Sequence, residues 1–141
     1  MSSWLINLCD SMSNKNYILK WILTWIELAV KLNVRLLDIN LSFLSKPYSL
    51  PDVIYDAKNL KTLRLEKCKF EFDISTTHIR FYCLEDLYLH CVRISDAQLQ
   101  RIIDRSLFIR HLSLVDCRGI KKLQVWPCTS GEFTCCTLQI Q

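Results

Sequence analysis

The chain has 141 residues with a hydrophobic content of 50%, and its 18 basic and 14 acidic residues leave a net charge of +4. This length fits one domain, and this much hydrophobic sequence excludes low-complexity disorder. The basic residues are scattered rather than clustered, which excludes an evident nucleic-acid-binding stripe, and two glycines with three prolines argue against a turn-rich β-sandwich.

Residues 17–31 predict a helix, preceded by the polar run 11–16, which can cap its start. Lys20 and Glu27, together with the short length, argue against a membrane span. Apolar residues at helical spacing, flanked by further apolar positions, predict that the helix is mostly buried. Those at helical spacing are Ile18, Trp21, Trp25, Leu28 and Leu32, and the flanking positions are Ile22, Ile26, Ala29 and Val30. Because a repeated motif begins directly after this helix, we expect it to close the open end of a repeat stack.

The repeated motif places hydrophobic residues at offsets 0, 3 and 5, with a cysteine or another apolar residue at offset 8. Its clearest copies are Leu60-Lys-Thr-Leu63-Arg-Leu65-Glu-Lys-Cys68 and Ile109-Arg-His-Leu112-Ser-Leu114-Val-Asp-Cys117. The starts at 34, 60, 84 and 109 are 26, 24 and 25 residues apart, which is the period of leucine-rich repeats. A further start at 120 follows after only 11 residues. The predicted strands are 34–41, 60–65, 84–89, 109–114 and 120–125.

The segments between the predicted strands form the crossover connections, and their sequences predict different conformations. Residues 52–57 can form one or two helical turns after Pro51, and residues 69–79 an extended return with buried Phe70, Phe72, Ile74 and Ile79. Ser95 and Gln98 have the spacing of a capping box, which predicts a helix ending near residue 105. Its inward-facing residues are predicted to be Leu99, Ile102 and Ile103.

A strand, a crossover and a parallel strand in each repeat predict an α/β fold: a leucine-rich-repeat solenoid arc with a parallel β-sheet and an N-terminal capping helix. The expected divisions are an N-terminal segment with the capping helix at 1–33, the repeats at 34–126 and an atypical tail at 127–141. Residues 133–140 alternate like a strand, but we do not expect them to continue the repeat.

Three of the eight cysteines, Cys68, Cys117 and Cys128, occupy the same repeat position, which indicates packing. The N-terminus has no export signal, so we expect reduced, buried thiols and a cytoplasmic or nuclear location, with disulfides as the alternative. No ligand pairs have zinc-site spacing, which makes a metal site the weaker interpretation. His90 and Cys91 are adjacent, and neighbouring strand residues point to opposite faces, so we predict no catalytic pair. We also find no catalytic motif, and we predict neither an enzyme nor a cofactor.

Residues between the repeat leucines should point away from the core, on the concave side of the sheet. The three predicted rows are Leu36–Thr62–Asp86–His111–Lys122, Asp38–Arg64–Tyr88–Ser113–Gln124 and Asn40–Glu66–His90–Val115–Trp126. Exposed aromatic and arginine residues often anchor protein interfaces. The candidate protein-binding residues are therefore Arg64, Tyr88, His90 and Trp126. The alternative is that Arg64 pairs with Asp38 or Asp86 and the aromatic residues merely cover the sheet.

Three stretches also resemble the plant F-box/leucine-rich-repeat proteins of the FBD-type group. They are residues 25–68, with Leu50-Pro51-Asp-Val-Ile-Tyr-Asp-Ala57 before the second repeat, Ser95-Asp96-Ala-Gln-Leu99, and 109–125, with Cys117-Arg-Gly119-Ile120. The resemblance spans roughly residues 20–126, but we recognise no three-helix F-box before Trp21 and no FBD-type region after Trp126.

In that family an F-box docks on the adaptor of an SCF-type ubiquitin ligase, and the repeats hold the substrate. The resemblance therefore implies a protein–protein interaction module that corresponds to the substrate-recognition part of such a ligase. The expected partner is an unidentified protein substrate, and the SCF adaptor only where a longer product contains an F-box. Neither a nucleic acid nor a membrane is expected. The alternative is a truncated structural isoform without ligase activity or a dedicated partner.

Overall fold

The computed structural model describes residues 3–7, 15–121 and 135–139, with side chains from 17 to 121. The strands are β1 (Ser3–Asn7), β2 (Leu36–Asn40), β3 (Tyr48–Ser49), β4 (Thr62–Glu66), β5 (Cys68–Lys69), β6 (Asp86–His90), β7 (His111–Val115) and β8 (Cys135–Gln139). The helices are α1 (Lys15–Lys31), a 3₁₀ helix (Asp52–Asp56) and α2 (Asp96–Arg105). Six strands form one sheet in the order β1-β2-β4-β6-β7-β8, and β3 pairs with β5. Every pairing is parallel, which confirms the α/β class.

The repeat leucines set the register of the main sheet. Leu37, Leu63, Leu87 and Leu112 are aligned across β2, β4, β6 and β7, and all four are buried. The second inward row, two residues further along each strand, is Ile39, Leu65, Leu89 and Leu114, also buried. Because strand side chains alternate between the two faces, this register leaves the residues between them on the opposite face.

Helix α1 does not have the predicted capping role, since β1 precedes it and pairs with β2 at the edge of the sheet. The helix is the crossover between two adjacent parallel strands. The predicted burial of this helix is confirmed for only part of its apolar surface. Ile18, Ile22, Ile26 and Ala29 are buried, whereas several apolar residues predicted to be buried are exposed. The exposed ones are Trp21, Leu28 and Leu32.

The strand beside β7 is β8, at Cys135–Gln139, rather than the predicted strand 120–125. Residues 122–125 of that prediction lie outside the described residues. The register pairs Leu112 with Cys136 and Leu114 with Leu138, so the motif resumes at Phe133, 24 residues after Ile109. The segment predicted to be an atypical tail therefore contributes a strand that continues the repeat period. The expected division at residue 126 stays a prediction.

The remaining crossovers cover the buried face of the sheet. Helix α2 begins with the predicted capping box: Ser95 Oγ accepts from the Gln98 amide at 3.1 Å, and Gln98 Oε1 accepts from the Ser95 amide at 3.0 Å. The inward residues of α2 were also predicted correctly, and all three are buried: Leu99, Ile102 and Ile103. Of the four residues predicted to be buried in the extended return, three are, while Ile74 is exposed. Within the part of the chain described here, no helix combines the length and apolar character needed to cross a bilayer.

Candidate protein-binding face

The outward side chains of β2, β4, β6 and β7 form a single surface, which we call the exposed face. It consists of Leu36, Asp38, Asn40, Thr62, Arg64, Glu66, Asp86, Tyr88, His90, His111, Ser113 and Val115. The parallel register lines these residues up in the three predicted rows, because equivalent repeat positions lie one strand spacing apart, about 4.8 Å. Each row brings different chemistry together.

The first row is a hydrogen-bonded chain centred on Asp86. His111 Nδ1 lies 2.6 Å from Asp86 Oδ1, and Thr62 Oγ1 donates to Asp86 Oδ2 at 3.3 Å. The Asp86 side chain is mostly buried beneath these partners. The row therefore holds His111 in a fixed orientation at the edge of the exposed face.

The second row contains two of the candidate contact residues, and they touch each other. The guanidinium carbon of Arg64 lies 4.3 Å from the centroid of the Tyr88 ring, which is cation–π geometry. Among the described residues, Arg64 makes no carboxylate ion pair, so the predicted alternative of pairing with Asp38 or Asp86 is wrong. Arg64 is exposed and Tyr88 is half-buried, so the pair presents a cation and an aromatic edge to solvent.

The third row places His90 between two carboxylates. His90 Nδ1 lies 3.2 Å from Glu66 Oε1, and His90 Nε2 lies 3.9 Å from Asp116 Oδ2. Asp116 follows β7 directly and was not among the predicted site residues. Arg64, Tyr88 and His90 border one groove of about 260 Å³. The fourth candidate, Trp126, lies outside the described residues, and in this row Gln139 rather than Trp126 follows Val115.

A second cavity, of about 390 Å³, opens where the strands end. Its lining includes Lys46, Lys67, Arg93 and Arg118, with Asp116 as the acidic member. We call it the basic cleft. None of its four cations forms an ion pair with another described residue. The exposed face therefore combines carboxylates, histidines and the Arg64–Tyr88 pair, and it is bordered by positive charge at the ends of the strands.

The described cysteines divide by position into two kinds. Cys68 and Cys117 are buried at the repeat position, as predicted, and burial raises the pKa of both thiols. Cys117 Sγ lies 3.4 Å from the Leu89 carbonyl oxygen, to which it can donate. Cys83 and Cys91 are only partly buried. All four are free thiols, while Cys128 lies outside the described residues.

The main site feature that the sequence prediction missed is the proximity of His90, Cys91 and Asp116. Cys91 lies beyond the end of β6 in a left-handed conformation with φ of 53°, so strand alternation does not apply to it. Lys67 and Asp116 occupy the same repeat offset with φ of 63° and 53°. That shared offset of seven residues from the repeat starts at 60, 84 and 109 was visible in the sequence.

The spacing, the strand register and the buried leucines together define repeating units of a single type. A protein-family model described as FBD-associated F-box protein At5g56370, LRR repeats, matches residues 22–139. The chain belongs to this leucine-rich-repeat family. The match includes β8, in agreement with the continued period of the sheet. No curated protein matches the chain, and neither does any solved structure.

Proposed function

We propose that this leucine-rich-repeat chain is a non-catalytic protein-interaction module that binds its partner through the exposed face. The repeats stack as a solenoid arc, and the exposed face lines its concave side. The observation that carries the proposal is the contact of Arg64 with Tyr88 in the lining of the groove. Arginine and tyrosine are enriched among the residues that dominate binding energy at protein interfaces.

The shape of the face supports a protein partner over a small molecule. Its groove of about 260 Å³ lies below the roughly 300–1,000 Å³ of typical small-ligand pockets. The outward positions of four adjacent strands differ in side chain from repeat to repeat, whereas the inward positions are leucine or isoleucine. Outward side chains that differ between repeats, held by a constant buried core, suit the recognition of one specific protein surface.

The family supports a more specific role, in which the repeats hold a substrate for an SCF-type ubiquitin ligase in the cytoplasm or nucleus. Ligation then requires a second contact, with the ligase adaptor, because linking two contacts raises the effective concentration only when both are made. We expect the adaptor contact to need an F-box. Calorimetry of the purified 141-residue chain with the adaptor is therefore expected to show no binding, and micromolar association would assign adaptor binding to these repeats.

The test of the proposed function compares two double variants with the same substitutions. Arg64→Ala/Tyr88→Ala removes the contact on the exposed face, and Arg105→Ala/Tyr82→Ala removes an exposed arginine and an exposed tyrosine elsewhere. Tagged proteins are used to capture partners from plant extract, and bound proteins are quantified by mass spectrometry. We expect specific proteins to be retained by the wild type and the Arg105/Tyr82 variant and lost with the Arg64/Tyr88 variant.

Three identical sets of captured proteins would reject binding through this face. That result would favour the alternative, a structural repeat fragment without a dedicated partner. Circular dichroism and thermal melting of each variant check that a loss of binding does not come from unfolding.

A further inference from the structure

Three side chains with metal-ligand chemistry converge at the edge of the exposed face. The ligand atoms of His90, Cys91 and Asp116 all lie within 4.8 Å of one another. His90 Nε2 lies 3.9 Å from Asp116 Oδ2. One imidazole, one thiol and one carboxylate come from the ends of two neighbouring strands.

The repeat geometry produces this convergence. His90 and Val115 are paired in the β6–β7 register, so the residues that follow them, Cys91 and Asp116, are also neighbours. Both adopt left-handed φ values, and the Cys91 amide donates to the Val115 carbonyl at 2.9 Å. In a regular strand the Cys91 side chain would lie on the face opposite to His90, but the left-handed backbone conformation of Cys91 changes its direction. It therefore reaches the same edge as His90 instead of the opposite face.

A histidine that binds a metal through one ring nitrogen usually donates a hydrogen bond from the other to a carboxylate, a carbonyl or water. Glu66 is placed to accept such a bond from His90. Its Oε1 atom lies 3.2 Å from His90 Nδ1, so an Nδ1–H can donate to the carboxylate and leave Nε2 with its lone pair toward Asp116 and Cys91. The same contact fixes the plane of the imidazole ring.

We propose that His90 Nε2, Cys91 Sγ and Asp116 Oδ2 form a three-ligand zinc site. The combination of thiolate, imidazole and carboxylate suits Zn²⁺, whereas Mg²⁺ and Ca²⁺ require mainly oxygen ligands. Tetrahedral coordination with bonds of 2.0–2.3 Å separates ligand atoms by about 3.6 Å. Small rotations of the partly buried Cys91 and Asp116 side chains close the remaining gap of about 1 Å, while Glu66 keeps the His90 ring in place. Binding releases the thiol proton to solvent, and water occupies the fourth position.

The basic cleft next to the site determines which ions can compete. Lys67, Arg93 and Arg118 line the cavity that also contains Cys91 and Asp116, so a cation held by charge alone is repelled. Zinc feels the same repulsion, but its bonds to sulfur and nitrogen, which Mg²⁺ and Ca²⁺ do not favour, offset it. A bound ion fixes His90, one of the candidate contact residues, at the border of the groove.

The proposal is tested by titrating the full chain with metal in the presence of a phosphine reductant. Zn²⁺ binding is measured by calorimetry, and Co²⁺ serves as a spectroscopic probe, because its thiolate charge-transfer absorption reports a sulfur ligand. We expect one equivalent of Zn²⁺ to bind and Co²⁺ to show that absorption. Cys91→Ser abolishes the charge-transfer absorption, and Asp116→Asn weakens zinc binding at least about tenfold.

Two further variants distinguish this site from other thiols. Cys83→Ser removes a partly buried free thiol outside the cluster and is expected to bind zinc like the wild type. Glu66→Gln retains all three ligands but is expected to weaken zinc binding about 10–100-fold, because it removes the carboxylate that holds the His90 ring.

The absence of saturable zinc binding to the wild type overturns the proposal. Undiminished zinc binding or cobalt–thiolate absorption in Cys91→Ser also overturns it, because the ion then uses another cysteine. Melting curves of the metal-free variants confirm that each is folded.

Discussion

The two faces of the main sheet are made by alternate residues of the same strands, yet they obey different constraints. On the buried face, Leu87 has Leu63 and Leu112 as aligned neighbours, and all three are buried. On the exposed face, Tyr88 has Arg64 on one side and Ser113 on the other. The buried face must fill a shared core, so nearly the same side chain recurs in every repeat. The exposed face has no such requirement and can differ at each position.

The two faces also differ in how much their side chains contribute to the free energy of folding. Burying a leucine side chain stabilises a fold by about 1.5–3 kcal/mol, whereas an exposed ion pair contributes at most about 1 kcal/mol. The buried face therefore determines whether the chain folds, and the exposed face is available for recognition. The following predictions test this division, from the largest expected effect to the smallest.

The largest contrast is expected in thiol reactivity. Cys68 and Cys117 lie on the buried side, and their raised pKa values lower the reactive thiolate fraction at neutral pH. Their alkylation requires opening of the structure, so it should be slower than that of Cys91 by orders of magnitude. Iodoacetamide labelling with a chelator present, followed by peptide mass spectrometry, measures both rates. Equal rates for Cys68 and Cys91 in the folded protein would contradict the assigned burial.

Leu87→Ala should have the largest effect on stability. The side chain is fully buried in the middle of the sheet, so its truncation should cost about 2–5 kcal/mol of unfolding free energy. Urea denaturation measures the loss. The control is Tyr88→Ala, the adjacent residue on the other face, which should cost no more than about 1 kcal/mol. A Leu87 variant as stable as the wild type would show that the strand register is wrong.

A smaller effect is expected at the crossover packed on the buried face. Ser95→Ala removes the side-chain acceptor of the α2 capping box, and this should cost about 0.5–2 kcal/mol. The matched control is Ser45→Ala, an exposed serine outside any helix. Thermal melting of both variants provides the comparison, and equal melting temperatures would mean that the cap contributes nothing.

The smallest effect is expected within the exposed face. A double-mutant cycle with Arg64→Ala and Tyr88→Ala should give a coupling free energy of about 0.5–1 kcal/mol, the usual value for an exposed cation–π pair. Urea denaturation of the four proteins gives this coupling. A much larger value would indicate that the pair is a structural element of the fold rather than a surface available to a partner.

The sequence predicted the buried face well because packing repeats the same residue types at a fixed period. Leu63, Leu65, Leu112 and Leu114 were correctly placed on it, and the Ser95–Gln98 box correctly placed the start of α2. Strand β1 was missed, and β8 was predicted as a strand but not as part of the repeat, although both edge strands have the same offsets. Met1, Trp4, Ile6 and Cys9 precede β2 with one copy, and Phe133, Cys136 and Leu138 follow β7 with another. Leu138 is the only leucine at these offsets in the two copies, whereas leucines at offsets 3 and 5 made the central copies recognisable.

Helix α1 shows a second limit of periodicity. Ile18, Ile22 and Ile26 form one apolar stripe, while Tyr17, Trp21 and Trp25 form another beside it at the same spacing. Both stripes were predicted to be buried, because helical spacing alone cannot determine which of two adjacent stripes faces the sheet. The position of Cys91 was missed for a different reason, since the left-handed residue after each strand is a property of the backbone rather than of residue type.

The central claim, that the exposed face binds a protein, is tested most directly by photo-crosslinking from single positions. Benzoylphenylalanine replaces Tyr88, on the exposed face, or Tyr82, which is 50% exposed and lies outside that face. The two residues are the same type and only six positions apart, so the probes differ chiefly in the surface they sample. Irradiation in plant extract should give a discrete covalent adduct from position 88 and none from position 82. Adducts of the same protein in equal yield from both positions, or from position 82 alone, would contradict the claim.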